Sequence, residues 1–197
     1  MHALSGIIII LALSSLHVQA NQDKSVVSPW ARNSLDFETG VIWNIGNNTP
    51  LSYRIVTNRV SWRMPYVMKK DLSNGSTFVV RTQLSVMADW IDQGPEDYYF
   101  GLSAAPSFEW WSPNDKWSIY ASIGGGIGIT NSQGVMGGQG QDFTFNWFAK
   151  SGLRYRLSDD LSVFGGAYFQ HISNRGQTDP NPGIDALGFS IGVSKFF

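Results

Sequence analysis

The chain has 197 residues, no cysteine, three histidines and a formal net charge of −1. The missing thiols exclude a disulfide framework and a zinc–thiolate site. The near-neutral charge gives no reason to expect nucleic acid as a partner.

In chain order, residues 1–20 read as a secretory signal. A short apolar core from Ile7 to Leu13 is followed by Val18-Gln19-Ala20, small at the two positions a signal peptidase reads. The segment carries no Lys or Arg, and its apolar run falls short of the roughly 20 residues a membrane-spanning helix needs. Cleavage after Ala20 leaves residues 21–197 as one domain. His2 and His17 depart with the signal, so His171 becomes the only histidine. One histidine and no cysteine is a poor donor set for a transition metal.

Beyond the signal, apolar and polar residues alternate with a period of two, and no window has a helical period. Leu35, Phe37 and Val41 alternate with Asp36 and Glu38; Trp117, Ile119, Ala121, Ile123, Ile127 and Ile129 share one face, opposite Ser118, Tyr120, Ser122 and three glycines. Phe143, Phe145, Trp147, Ala149, Leu153 and Tyr155 oppose Asp142, Thr144, Asn146, Lys150, Arg154 and Arg156. Eight such segments are predicted, at 33–46, 51–66, 76–90, 97–111, 116–130, 142–157, 160–174 and 184–197. Each exceeds the ~9–11 residues with which a tilted strand crosses a bilayer, and eight is the smallest usual strand number for an outer-membrane barrel.

The connections alternate in kind. "SPND" (112–115) and "SDD" (158–160) are tight turns, whereas "IDQGPED" (91–97), "NSQGVMGGQGQ" (131–141) and "RGQTDPNPG" (175–183) are longer. Short periplasmic turns and longer outer loops are the known asymmetry of such barrels. The stretch 67–75 is longer than that rule expects. The glycine runs "GGGIG" (124–128) and "GGQG" (137–140) lack the G-x-G-x-x-G spacing and a following helix, so neither reads as a nucleotide-binding loop.

Alternation alone does not say which face is inside; a soluble lipocalin-type barrel would turn its apolar face inward. Three features favour the membrane arrangement, an all-β, eight-stranded antiparallel transmembrane barrel. Trp43, Trp62, Trp90, Trp110, Trp111, Trp117 and Trp147 fall near strand ends, as interfacial girdles do. The glycine-rich face of the fifth strand suits a crowded lumen. The sequence closes on "SKFF", and a terminal Phe on a last strand resembles the signal read by outer-membrane assembly machinery.

In the seventh segment, His171 and Ser173 continue the lipid-facing set Leu161, Val163, Gly165, Ala167 and Phe169. In the eighth, Asp185 shares a face with Leu187, Phe189, Ile191 and Val193. A hairpin centred near residue 178 would set Asp185 opposite His171. A lone histidine at such a strand end is ordinarily an interfacial polar residue. Polar groups on a lipid-facing wall are costly, however, and nucleophile, base and orienter are the three types that acyl transfer requires.

The stretch "HISNRG" with "PNPGID" resembles the C-terminal motif of the lipid A 3-O-deacylases (the PagL family), outer-membrane esterases on eight-stranded barrels. The resemblance implies Ser173 as nucleophile, His171 as base and Asp185 as the acid, where the family carries Glu. It implies Asn174 or Asn181, with the turn amide of Gly176, at the oxyanion. It further implies hydrolysis of the 3-position acyl ester of lipid A, with no metal or organic cofactor. The partners would be lipid A or lipopolysaccharide and membrane lipid, with a homodimer left open. The rivals are a non-catalytic structural or adhesin barrel, in which His171 is incidental, and a soluble lipocalin-like binder. A third is a lipid A palmitoyltransferase, whose histidine sits in an early outer loop where this chain has none.

Overall fold

A computed structural model describes residues 27–46 and 51–197; the expected signal segment lies outside them. After a short 3-10 turn, Pro29–Ala31, come eight strands: β1 Ser34–Asn44, β2 Arg54–Asp71, β3 Thr77–Gln93, β4 Tyr98–Trp111, β5 Trp117–Thr130, β6 Phe143–Arg156, β7 Leu161–Ser173 and β8 Ile184–Phe196. Each pairs antiparallel with its sequence neighbour, and β1 pairs with β8, closing the barrel. Closure matters in a membrane, where an open strand edge would leave peptide groups unpaired in hydrocarbon.

The alternation resolves as the inverted arrangement. Leu35, Phe37, Val60, Trp62, Leu84, Val86, Leu102, Ile119, Ile127, Phe189 and Ile191 are exposed on the wall, while Asp36, Glu38, Arg59, Arg63, Arg81, Glu109, Lys150 and Arg154 are buried in the lumen. The lumen charges answer one another. Arg63 pairs with Asp36 at 2.9 Å and with Glu109, Arg154 reaches Asp36 at 3.3 Å, and Lys150 meets Glu38 at 2.8 Å. A buried charge without a partner would be strongly destabilising, so this network lets polar strand faces fill the lumen.

The glycines of β5 belong to the same packing. A Cβ on Gly128 would lie 2.4 Å from the Tyr99 ring, and one on Gly126 would overlap the Leu102 carbonyl. Tyr99, fully buried, occupies the space left by Gly128 and by Gly101 on its own strand.

Two expectations are corrected. Trp111 is no girdle residue: it is 0% exposed and donates its indole N–H to Glu109 Oε2 inside the barrel, because it continues the inward face of Ser103, Ser107 and Glu109 in β4. The 67–75 stretch is not a long loop. β2 continues to Asp71, paired with β3 through register shifts around Tyr66, so the turn is only 72–76. The polar run Lys69-Lys70-Asp71 hid this continuation. Pro65 is tolerated because β1 ends its pairing at Arg63, leaving β2 beyond that point an edge that needs no N–H on that side.

The connections after β2, β4 and β6 lie at the end holding the start of β1 and the end of β8, and all are short. The connections after β1, β3, β5 and β7 lie at the other end, the outer one by the barrel asymmetry.

Candidate active site

Three strands meet at the outer end to build one row of side chains. In the β6–β7–β8 register, His171 is the direct partner of Trp147 on one side and of Asp185 on the other. Ser173 sits two residues along β7, hence on the same outer face, opposite Phe145. Period-two geometry therefore sets the three polar groups side by side on the wall.

His171 Nδ1 lies 2.7 Å from Asp185 Oδ1, and Nε2 lies 2.9 Å from Ser173 Oγ. A carboxylate can only accept, so Nδ1 carries the hydrogen, and Nε2 is left with a lone pair facing the hydroxyl. His171 and Asp185 are each half-buried, and Ser173 is 8% exposed. Trp147 lies beside the imidazole, ring centroids 6.0 Å apart and planes 29° from parallel. Gly183, at φ +71°, passes the other side; a Cβ there would be 3.6 Å from His171 Cε1.

The remaining expected residues come together as well, but with one another. Asn174 is fully buried, and its Nδ2 donates to the carbonyls of Gln139 (2.5 Å) and Thr178 (2.7 Å). Its Oδ1 accepts the Gly176 N–H at 2.7 Å, and its own N–H donates to Asn181 Oδ1 at 2.9 Å. Asn174 and Gly176 thus spend their amides on the β7–β8 loop and, through Gln139, on the β5–β6 loop. Asn181 spends only its oxygen there: its Nδ2 has no hydrogen-bond partner among the described residues.

The alternation said nothing of a buried chain of polar groups beneath the site. Tyr53 donates to Glu96 Oε2 at 2.7 Å, Ser132 to Glu96 Oε1 at 2.5 Å, and Gln139 N–H to Ser132 Oγ at 2.6 Å. Gln139 Oε1 then accepts the Gly183 N–H at 3.1 Å. Burial and the Glu96 carboxylate beside it raise the Tyr53 phenol well above its ordinary value, so it stays a donor. The chain ties the strand entry at Tyr53 and the β3–β4 and β5–β6 loops to the β7–β8 loop at Gly183. Its signal in the sequence was the "GGQG" run: a Cβ on Gly138 would lie 2.7 Å from Ser132 Oγ, and one on Gly140 2.7 Å from the Pro180 carbonyl. Those glycines allow close approach between loops rather than phosphate binding.

Below the row, Phe169 and Leu187 continue the faces of His171 and Asp185 and open a shallow apolar groove of about 450 Å³. Ala121, Ile123, Ala149, Ala167 and Phe108 complete it. It runs down the lipid-facing wall.

A closed barrel with a charged lumen and an apolar wall defines an outer-membrane β-barrel. Residues 56–194 match the family model described as lipid A 3-O-deacylase (PagL), and the chain belongs to that family. Its fold is similar to that in a crystal structure of the outer membrane enzyme PagL, at 20% identity and a TM-score of 0.55, covering 82% of this chain and 98% of that one. It is also similar to Neisserial surface protein A, at 11% identity and a TM-score of 0.56, covering 84% and 97%. No curated protein matches the chain.

Proposed function

We propose that Ser173, His171 and Asp185 form the catalytic triad with which this lipid A deacylase hydrolyses the 3-position acyl ester in the outer leaflet. The observation that carries the reading is the hydrogen-bonded row Ser173–His171–Asp185 on a lipid-facing wall. Removing polar groups from water and placing them against lipid is costly, and the ester that needs them lies at that depth.

Ser173 Oγ attacks the ester carbonyl while its proton passes to His171 Nε2; Asp185 holds the imidazole's tautomer and stabilises the imidazolium. The sugar's 3-oxygen leaves with that proton, giving an acyl-serine. Water, deprotonated by the same Nε2, releases a 3-hydroxy fatty acid and restores Ser173. The oxyanion takes its hydrogen bond from Asn181 Nδ2, the amide not committed to the loop, while Asn174 and Gly176 hold the loop in shape. The acyl chain lies in the groove below Phe169 and Leu187, so that the lipid reacts without leaving the bilayer.

The test is reconstituted enzyme with lipid A, read by mass spectrometry. Loss of one 3-hydroxyacyl group with wild type and none with a folded Ser173→Ala variant supports the reading. Equal loss with both overturns it.

A further inference from the structure

Arg175 follows the nucleophile by two residues and takes no part in the chemistry above. It is exposed and stands at φ +57°, a backbone conformation that non-glycine residues rarely adopt. Among the described residues the only other non-glycine position with positive φ is Asp115, in a turn at the opposite end. The guanidinium is held 5.0 Å over the ring of Phe145, the register partner of Ser173. A strained backbone and an aromatic platform thus fix one cation at the edge of the site.

Its electrostatic setting is unusual. The outer end carries Asp92, Glu96, Asp97, Asp142, Asp179 and Asp185, while its cations among the described residues are Arg54 and Arg175. Arg54 is taken up by Asp92. Arg175 forms no ion pair among the described residues, although acids surround the rim. A planar fork of N–H donors left unpaired on a site edge fits the oxygen pair of an incoming phosphate bidentately. Lipid A supplies that chemistry, since it is an acylated glucosamine disaccharide bearing phosphate.

We infer that Arg175 is a specificity-determining residue that binds a phosphate on the ester-bearing sugar of lipid A and so registers the 3-position ester over Ser173. The inference rests on the esterase reading above. It makes Arg175 a substrate-binding residue whose contribution depends on the phosphate being present.

The experiment compares wild type, Arg175→Gly and Arg175→Lys in detergent micelles. Each is given lipid A with its phosphates and lipid A from which they have been removed. Glycine adopts the positive φ freely, so Arg175→Gly removes the charge without straining the loop. For phosphorylated lipid A, Arg175→Gly should raise KM by about three- to tenfold with little change in kcat, the size of an exposed charge-assisted contact. Lys should restore part of the loss. For the dephosphorylated lipid, wild type and Arg175→Gly should have the same KM. An unchanged KM on the phosphorylated lipid, or an equal loss on both lipids, would overturn the inference. Absence of hydrolysis by the wild type on either lipid would overturn the esterase reading itself, and this inference with it.

Discussion

His171 and Ser173 illustrate how much of the site a residue-level reading reaches. Period-two spacing puts them on one face, and a hairpin near residue 178 sets Asp185 across from His171; both are found in the register. The oxyanion side was less legible, because which amide is committed depends on partners such as Gln139, 35 residues from Asn174. Base and nucleophile act as a unit. Ser173→Ala and His171→Asn should each lower deacylation on the order of 10³-fold or more, and the double variant should be little worse. Asp185→Ala should lose less, as triad acids generally do, by about one to two orders of magnitude relative to Ser173→Ala. Initial rates on purified lipid A separate these cases. A wild-type rate from Asp185→Ala would mean that another group orients His171.

Strands were legible to within a few residues wherever alternation was clean, as in β5 and β6. β2 was cut short because the run Met68-Lys69-Lys70-Asp71 breaks the pattern, with exposed side chains on both faces. Loops were the least legible elements, since their order comes from groups distant in sequence. The β5–β6 loop should therefore matter to a site it does not touch directly. Gln139→Ala removes the acceptor for the half-buried Gly183 N–H, and losing that hydrogen bond beside His171 costs about 0.5–1.5 kcal/mol. The expected outcome is a fall in kcat of up to roughly tenfold, with the barrel still heat-modifiable on gels. In β5, Gly126→Ala should lower the yield of folded barrel outright, because its Cβ would overlap the Leu102 carbonyl. A normal yield would show that the β4–β5 pair can shift apart at that point.

For the whole molecule, one inversion decides everything else: apolar residues outside, paired charges within. The sequence shows the two faces equally well, and tryptophan placement, glycine crowding and the terminal Phe tipped the choice; Trp111 shows that the first of these signs is imperfect. With lipid outside, the proposed esterase site on the wall would meet its substrate in place, and that would give His171 a reason to be on a lipid-facing strand. The lumen network should also be intolerant of single losses. Arg63→Met leaves Asp36 and Glu109 short of their shared cation, and breaking such a buried group is destabilising by about 3–5 kcal/mol. Urea titration of the refolded barrel should read it as a lowered midpoint. The central claim, that this wall carries a serine esterase, is met most directly by the mass of lipid A from cells producing the wild type or Ser173→Ala, with heat-modifiability confirming that both fold. Lipid A should lose one 3-hydroxyacyl group with the wild type and stay unaltered with Ser173→Ala; the same loss with a folded Ser173→Ala barrel would rule out Ser173 as the nucleophile.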